Sequence, residues 1–155
     1  MRSLTPLTAM ALLAGCAAPT PGGGPVETTR VIAAEPATVR ERMDRAVLGL
    51  GFVPGGPGPD APYLRSSVPS DWADCPNVVI SGPDDSSQRD WARPAAQSGE
   101  VRLGAVPDQG GTRAQVIAQF RASYLQRYRG TSFTRACTST GLLERRILDD
   151  AAAAG

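Results

Sequence analysis

Val101-Arg102-Leu103-Gly104-Ala105, the turn Asp108-Gln109-Gly110-Gly111, and then Arg113-Ala114-Gln115-Val116-Ile117-Ala118-Gln119-Phe120-Arg121 form the stretch that decides the fold. In the first arm the side chains at 101, 103 and 105 alternate with Arg102 and Gly104, the period of two expected of a strand with one buried face. In the second, Ala114, Val116, Ala118 and Phe120 fall on one side and Arg113, Gln115, Gln119 and Arg121 on the other, with Ile117 the exception. Two such runs around a Gly-rich turn predict an antiparallel hairpin. Helical spacing competes over residues 113–128, because Ala, Gln, Arg and Leu are also good helix formers.

Downstream, Thr131 to Cys137 reads as a further strand with Phe133 inward, and Thr140-Gly141 opens a last helix through Leu142, Leu143, Ile147 and Leu148. Upstream, Glu27 to Ala34 carries the Thr, Val and Ile of an extended strand, which Pro36 interrupts. Thr38-Val39-Arg40-Glu41 fits a capping box. Behind it Val39, Met43, Ala46, Val47 and Leu50 recur at helical spacing, opposite Arg40, Glu41, Arg42, Asp44 and Arg45, so the spacing predicts an amphipathic helix that Gly49 and Gly51 close.

Beyond that helix, Gly55, Gly56 and Gly58 with Pro54, Pro57 and Pro59 read as a turn and loop, since the prolines remove amides that a phosphate would need. Phe52 and Val53 begin a strand that Tyr63-Leu64-Arg65 continues or replaces, and Val78-Val79-Ile80 is a short buried one. Ser81 to Gly99 reads as a long exposed loop, which with its Trp91 is a candidate contact surface. The expectation is an α+β fold: a small antiparallel sheet with two helices packed on one face, in the order β-α-β-β-β-β-α.

Residues 1–15 carry a different message. Arg2 precedes the apolar run Leu4 to Leu13, too short to span a bilayer, and small residues follow it. That layout is an export signal. Leu13-Ala14-Gly15-Cys16 resembles the lipobox of bacterial lipoproteins. The resemblance implies a diacylglyceryl group on the Cys16 sulfur, cleavage before Cys16, and N-acylation of the new terminus. It implies tethering to a membrane, and, in a Gram-negative host, Ala17 rather than Asp after the cysteine implies the periplasmic face of the outer membrane. The run Cys137-Thr138-Ser139-Thr140-Gly141-Leu142-Leu143-Glu144 is also similar to carboxy-terminal segments of small proteobacterial lipoproteins, a likeness that implies no activity. The chain then divides into a signal peptide (1–15), a lipidated cysteine with a Pro/Gly tether (16–26), one α+β domain (27–150) and a tail (151–155).

Cysteine parity points the same way. Of three cysteines, a lipid on Cys16 leaves Cys75 and Cys137 as an even pair, and an oxidising compartment favours their joining. The chain has no Cys-x-x-Cys, so thioredoxin-like chemistry has no support.

Composition excludes several functions. There is no His, which removes the commonest base near neutral pH, the commonest zinc ligand and any Ser-His-Asp arrangement. All sixteen basic residues are Arg, for a net charge of +1. From Asp71 to Asp108 seven acids face three Arg, whereas from Thr112 to Leu148 seven Arg face Glu144 alone. Without a compact basic run no nucleic-acid partner is expected. Asp84, Asp85 and Asp90 lack the alternation, turn glycine and distal Glu of a calcium loop, so no metal or other cofactor is expected.

Two functions of different class follow. One is a non-catalytic envelope lipoprotein, membrane-bound through Cys16, acting as a scaffold, accessory or binding module toward an envelope protein or polysaccharide. The alternative is a lipid-tethered hydrolase of cell-wall glycan using Asp71 and Asp74 beside an exposed Trp72, since two carboxylates suffice for that chemistry.

Overall fold

The computed structural model describes residues 26–81, 89–126 and 130–153. Along the chain run β1 (Thr29–Ile32), α1 (Pro36–Gly49), β2 (Val53–Pro54), β3 (Tyr63–Arg65), β4 (Ala73–Asp74) and β5 (Val78–Ser81). β6 (Arg89–Ala92), β7 (Ala96–Asp108), β8 (Gly111–Gln126), β9 (Thr131–Ser139) and α2 (Leu142–Ala153) follow. The fold is α+β, with two helices and a mostly antiparallel sheet.

The hairpin is the spine of that sheet. β7 and β8 pair antiparallel over thirteen positions, from Ala96 opposite Ser123 to Asp108 opposite Gly111. Strand therefore prevails over helix through residue 126, because the alternation buries Ala114, Val116, Phe120, Ala122 and Tyr124 on one face only. Gly110, at φ +88°, takes the left-handed backbone of the two-residue turn. β8 shares its second edge between two strands set end to end: β1, with Thr29 opposite Gln115 and Ile32 opposite Thr112, and β9, with Phe120 opposite Cys137 and Gln126 opposite Thr131. β3 extends the sheet beyond β7, and β2 beyond β3. Past Cys137, β9 leaves β8 and takes β4 instead, pairing Thr138 with Asp74 and Ser139 with Ala73.

Both helices cover one face. Val39, Met43 and Val47 of α1 and Leu143, Ile147, Leu148 and Ala151 of α2 join Ile32, Val101, Ala114, Val116 and Phe120 in a single core. Each fully buried side chain of this size contributes about 1.5–3 kcal/mol. Farther along β8, Tyr124 stacks on Phe133 at 5.2 Å and its hydroxyl donates to the Pro76 carbonyl at 2.5 Å. Among the described residues two polar side chains are buried with this core. Thr112 donates its hydroxyl to the Ala34 carbonyl at 2.6 Å, whereas Glu144, 1% exposed, has one carboxylate oxygen, Oε2, without a partner.

Several expectations need correction. Pro36 opens α1 rather than merely ending β1: a helix's first residue needs no amide, and proline's fixed φ suits it. The helix therefore begins before Thr38, and Glu35 at its N-cap makes no side-chain capping bond. Ser81 to Gly99 is not one loop, because Arg89–Ala92 pairs with Val78–Ser81 as a hairpin and β7 starts at Ala96. Val79 is 41% exposed, so β5 is not fully buried. The tail expected from 151 is helical through Ala153, with Ala151 in the core. The expectations for residues 1–15, for Cys16, and for Asp84 and Asp85 lie outside the described residues.

Candidate functional site

Cys75 and Cys137 form a disulfide, with an S–S distance of 2.09 Å and Cα atoms 4.4 Å apart. It sits where the sheet splits. Cys137 lies opposite Phe120 at the last β8–β9 pair, and Cys75 follows β4, so the bond holds β4 to β9 just beyond the point where β9 departs. Both cysteines pack against the core.

Asp71 and Asp74 flank Trp72, as their spacing suggested, but Trp72 is not exposed. It is 7% accessible, lies nearly parallel to Phe52 with ring centroids 6.1 Å apart, and carries the Arg65 guanidinium 5.3 Å from its ring. Arg65 also donates to the Leu50 carbonyl, which ties the end of α1 to β3. The tryptophan thus closes the core, and large flat apolar area is what a chain with 5% aromatics has least of. Both carboxylates are exposed. The backbone carbonyl of Asp71 accepts from the Thr140 hydroxyl at 2.7 Å, and Asp74 pairs through its backbone with Thr138. Asp90 and Trp91 stand on β6, opposite Ile80 and Val79.

The face of the sheet turned away from the helices offers the better-formed candidate. Cross-strand register sets Leu64 opposite Glu100, Glu100 opposite Gln119, and Ser98 opposite Arg121. With Ser66 these residues line a groove of about 430 Å³, which includes neither Asp71 nor Asp74. Glu100 accepts from the Arg102 guanidinium at 2.9 Å and is thereby held beside the groove floor. Arg121 is exposed and makes no ion pair or hydrogen bond among the described residues, which leaves its guanidinium available to a ligand. The groove offers serine hydroxyls, an amide, one carboxylate and one free guanidinium on a strand scaffold. That set is suited to hydrogen-bonding an extended polar chain.

Gln119 and Arg121 were recognisable from the alternation as outward-facing, but Ser66, Ser98 and Glu100 were not recognisable as their neighbours. Among the described residues no group of three or more His, Cys, Asp or Glu is placed to hold a metal ion, and no helix is long and apolar enough to cross a membrane. Comparison with known proteins finds no matching family model, curated protein or solved structure.

Proposed function

We propose that this chain is an exported, lipid-anchored envelope protein whose α+β domain serves as a non-catalytic binding or accessory module. The observation that carries the reading is cysteine arithmetic: Cys75 and Cys137 are joined, which leaves Cys16, inside Leu13-Ala14-Gly15-Cys16, as the single cysteine for acylation. A disulfide also fits an oxidising compartment better than the cytosol. One acyl chain gives only reversible membrane binding, so the two or three chains of a mature lipoprotein would make the anchorage stable. Ala17 directs the anchored form to the outer membrane if the host is Gram-negative.

The outward groove at Ser98, Gln119 and Arg121 is then the contact surface for an envelope protein or polysaccharide. The absence of His from the whole chain supports binding over acid–base turnover near neutral pH. Intact mass spectrometry of protein from its own host tests the anchor. The mature species should lack residues 1–15 and carry a diacylglyceryl and an acyl group, and Cys16→Ser should carry neither. A trimmed form without fatty acids, or an acylated Cys16→Ser protein, would overturn it.

A further inference from the structure

A second cavity, of about 350 Å³, lies between the helices on the side of the molecule opposite the sheet groove, and three of its lining residues are Arg42, Arg45 and Arg146. Asp150 is the one carboxylate in the lining, so the lining itself carries two positive charges in excess, one of which Glu41 offsets from outside it. The guanidiniums are only lightly engaged. Arg42 donates to the Ala151 carbonyl at 3.3 Å, Arg45 pairs with Glu41 at 2.7 Å where both are about 70% exposed, and Arg146 has no partner among the described residues. An ion pair as exposed as that of Arg45 is worth little and yields readily to a competing anion. Gly49 leaves the floor open, since a Cβ built there would meet nothing within 4 Å.

We propose that this groove receives the phosphate headgroup of an anionic membrane lipid. Three arginines from two helices present the planar donor forks that match phosphate oxygens. Arg45, Gly49, Arg146 and Asp150 are all exposed, so the site meets a ligand displayed on a surface rather than one enclosed by the protein. The place where the chain enters the domain agrees. A Cβ at Gly141 would lie 3.1 Å from Val26, so the first described residue sits at the start of α2. Arg146 and Asp150 lie one to two and a half turns along that helix, roughly 7 and 13 Å away at about 1.5 Å per residue. Residues 17–26 can reach at most roughly 35 Å, so a domain anchored at Cys16 would keep this groove within reach of the bilayer. That point rests on the lipid-anchor reading; the charge and shape of the groove do not.

The test separates the two. The mature chain, residues 16–155 carrying Cys16→Ser and so without an acylation site or the apolar leader, is sedimented with vesicles of phosphatidylcholine alone or mixed with phosphatidylglycerol, at low and at high salt. Binding is expected only with phosphatidylglycerol and should fall with salt. Arg45→Gln and Arg146→Gln should each weaken it about fivefold. Gly49→Glu, which enters open space and leaves the packing undisturbed, should abolish it. Arg93→Gln, which removes the same charge from an exposed loop, should change nothing. Equal loss in the Arg93 variant, or equal binding to both vesicle types, would overturn the proposal. Soluble glycerol phosphate binding as tightly as the vesicles would reassign the groove to a free anion and overturn the lipid as its ligand. A failure of Cys16 acylation would leave all of these outcomes unchanged.

Discussion

Cutting the Cys75–Cys137 bond is the perturbation whose cost follows most directly from the structure. The bond spans a sequence separation of 62, and chain-entropy accounting for a loop of that size gives about 14 cal/mol/K, or about 4 kcal/mol at 25 °C. A domain of this size holds only about 5–15 kcal/mol in all, so the crosslink is a large share of the whole. The loss should be greatest where the bond is the main restraint. β4 has just two register pairs, Ala73 with Ser139 and Asp74 with Thr138. Urea unfolding of the oxidised protein and of the Cys75→Ser/Cys137→Ser double variant, followed by tryptophan fluorescence, measures the difference. The variant should lose about 3–5 kcal/mol and show a steeper urea dependence, because its unfolded chain exposes more surface. Amide exchange should accelerate first at Ala73, Asp74 and Ser139. A loss under about 1 kcal/mol, or exchange that rises uniformly over the sheet, would refute the assignment of the bond as the staple of β4 to β9.

Three further outcomes are open to measurement. Gly111→Ala should cost about 2 kcal/mol or more, because φ is +151° and the new Cβ would lie 2.2 Å from the Ile32 carbonyl oxygen; Gly110→Ala, facing open space, should cost only about 1 kcal/mol, and equal costs in urea titrations would contradict the clash. Glu144→Met should stabilise the fold by about 1 kcal/mol, because relief of an unpartnered buried oxygen, about 1–3 kcal/mol, outweighs the lost attraction of the helix N-terminus, about 0.5 kcal/mol; a destabilised variant would show that the carboxylate is satisfied. Stability should fall at both ends of the pH scale. The hydrogen bond from Arg30 holds the Glu27 carboxyl below its ordinary value, and the Gln109 amide and then Arg113 do the same for Asp108. Their contributions are complete above the unfolded carboxyl range of about 4 and are lost as pH drops through the lowered folded values. Burial, reinforced by the bond to Asp44, raises the Tyr63 phenol, and burial raises that of Tyr124. The unfolded phenols therefore ionise first, and stability should decline above about pH 10; a flat melting temperature from pH 9 to 11 would contradict that.

The parts of this fold that could be read in advance are those in which one short window carries the whole physical argument. Ala114 to Phe120 alternate strongly enough to fix which face is buried, Val39 to Val47 make a stripe one helical face wide, and three cysteines allow few pairings. What escaped depends on partners distant in sequence. Arg89-Asp90-Trp91-Ala92 has a polar composition that reads as loop, and it becomes strand only because β5 supplies a ladder. Ala73 and Asp74 are strand only because β9 has left β8. By sequence Trp72 reads as exposed because its neighbours are charged, whereas Phe52 and Arg65, brought in by α1 and β3, cover it. Both grooves have the same origin. Ser98 meets Arg121 through hairpin register, and Arg42 meets Arg146 through helix packing, and neither distance is written in local periodicity.

The end-to-end arrangement of β1 and β9 on one edge of β8 also sets how the molecule bears tension. A tug from the chain upstream of Val26 is borne by the four rungs joining β1 to β8 and by Arg30, clasped between Glu27 and Asp149. The covalent link lies off that load path, between β4 and β9. A pull at that end therefore loads β1 and its seam with β8 first, while the disulfide secures a different seam, that of β4 with β9.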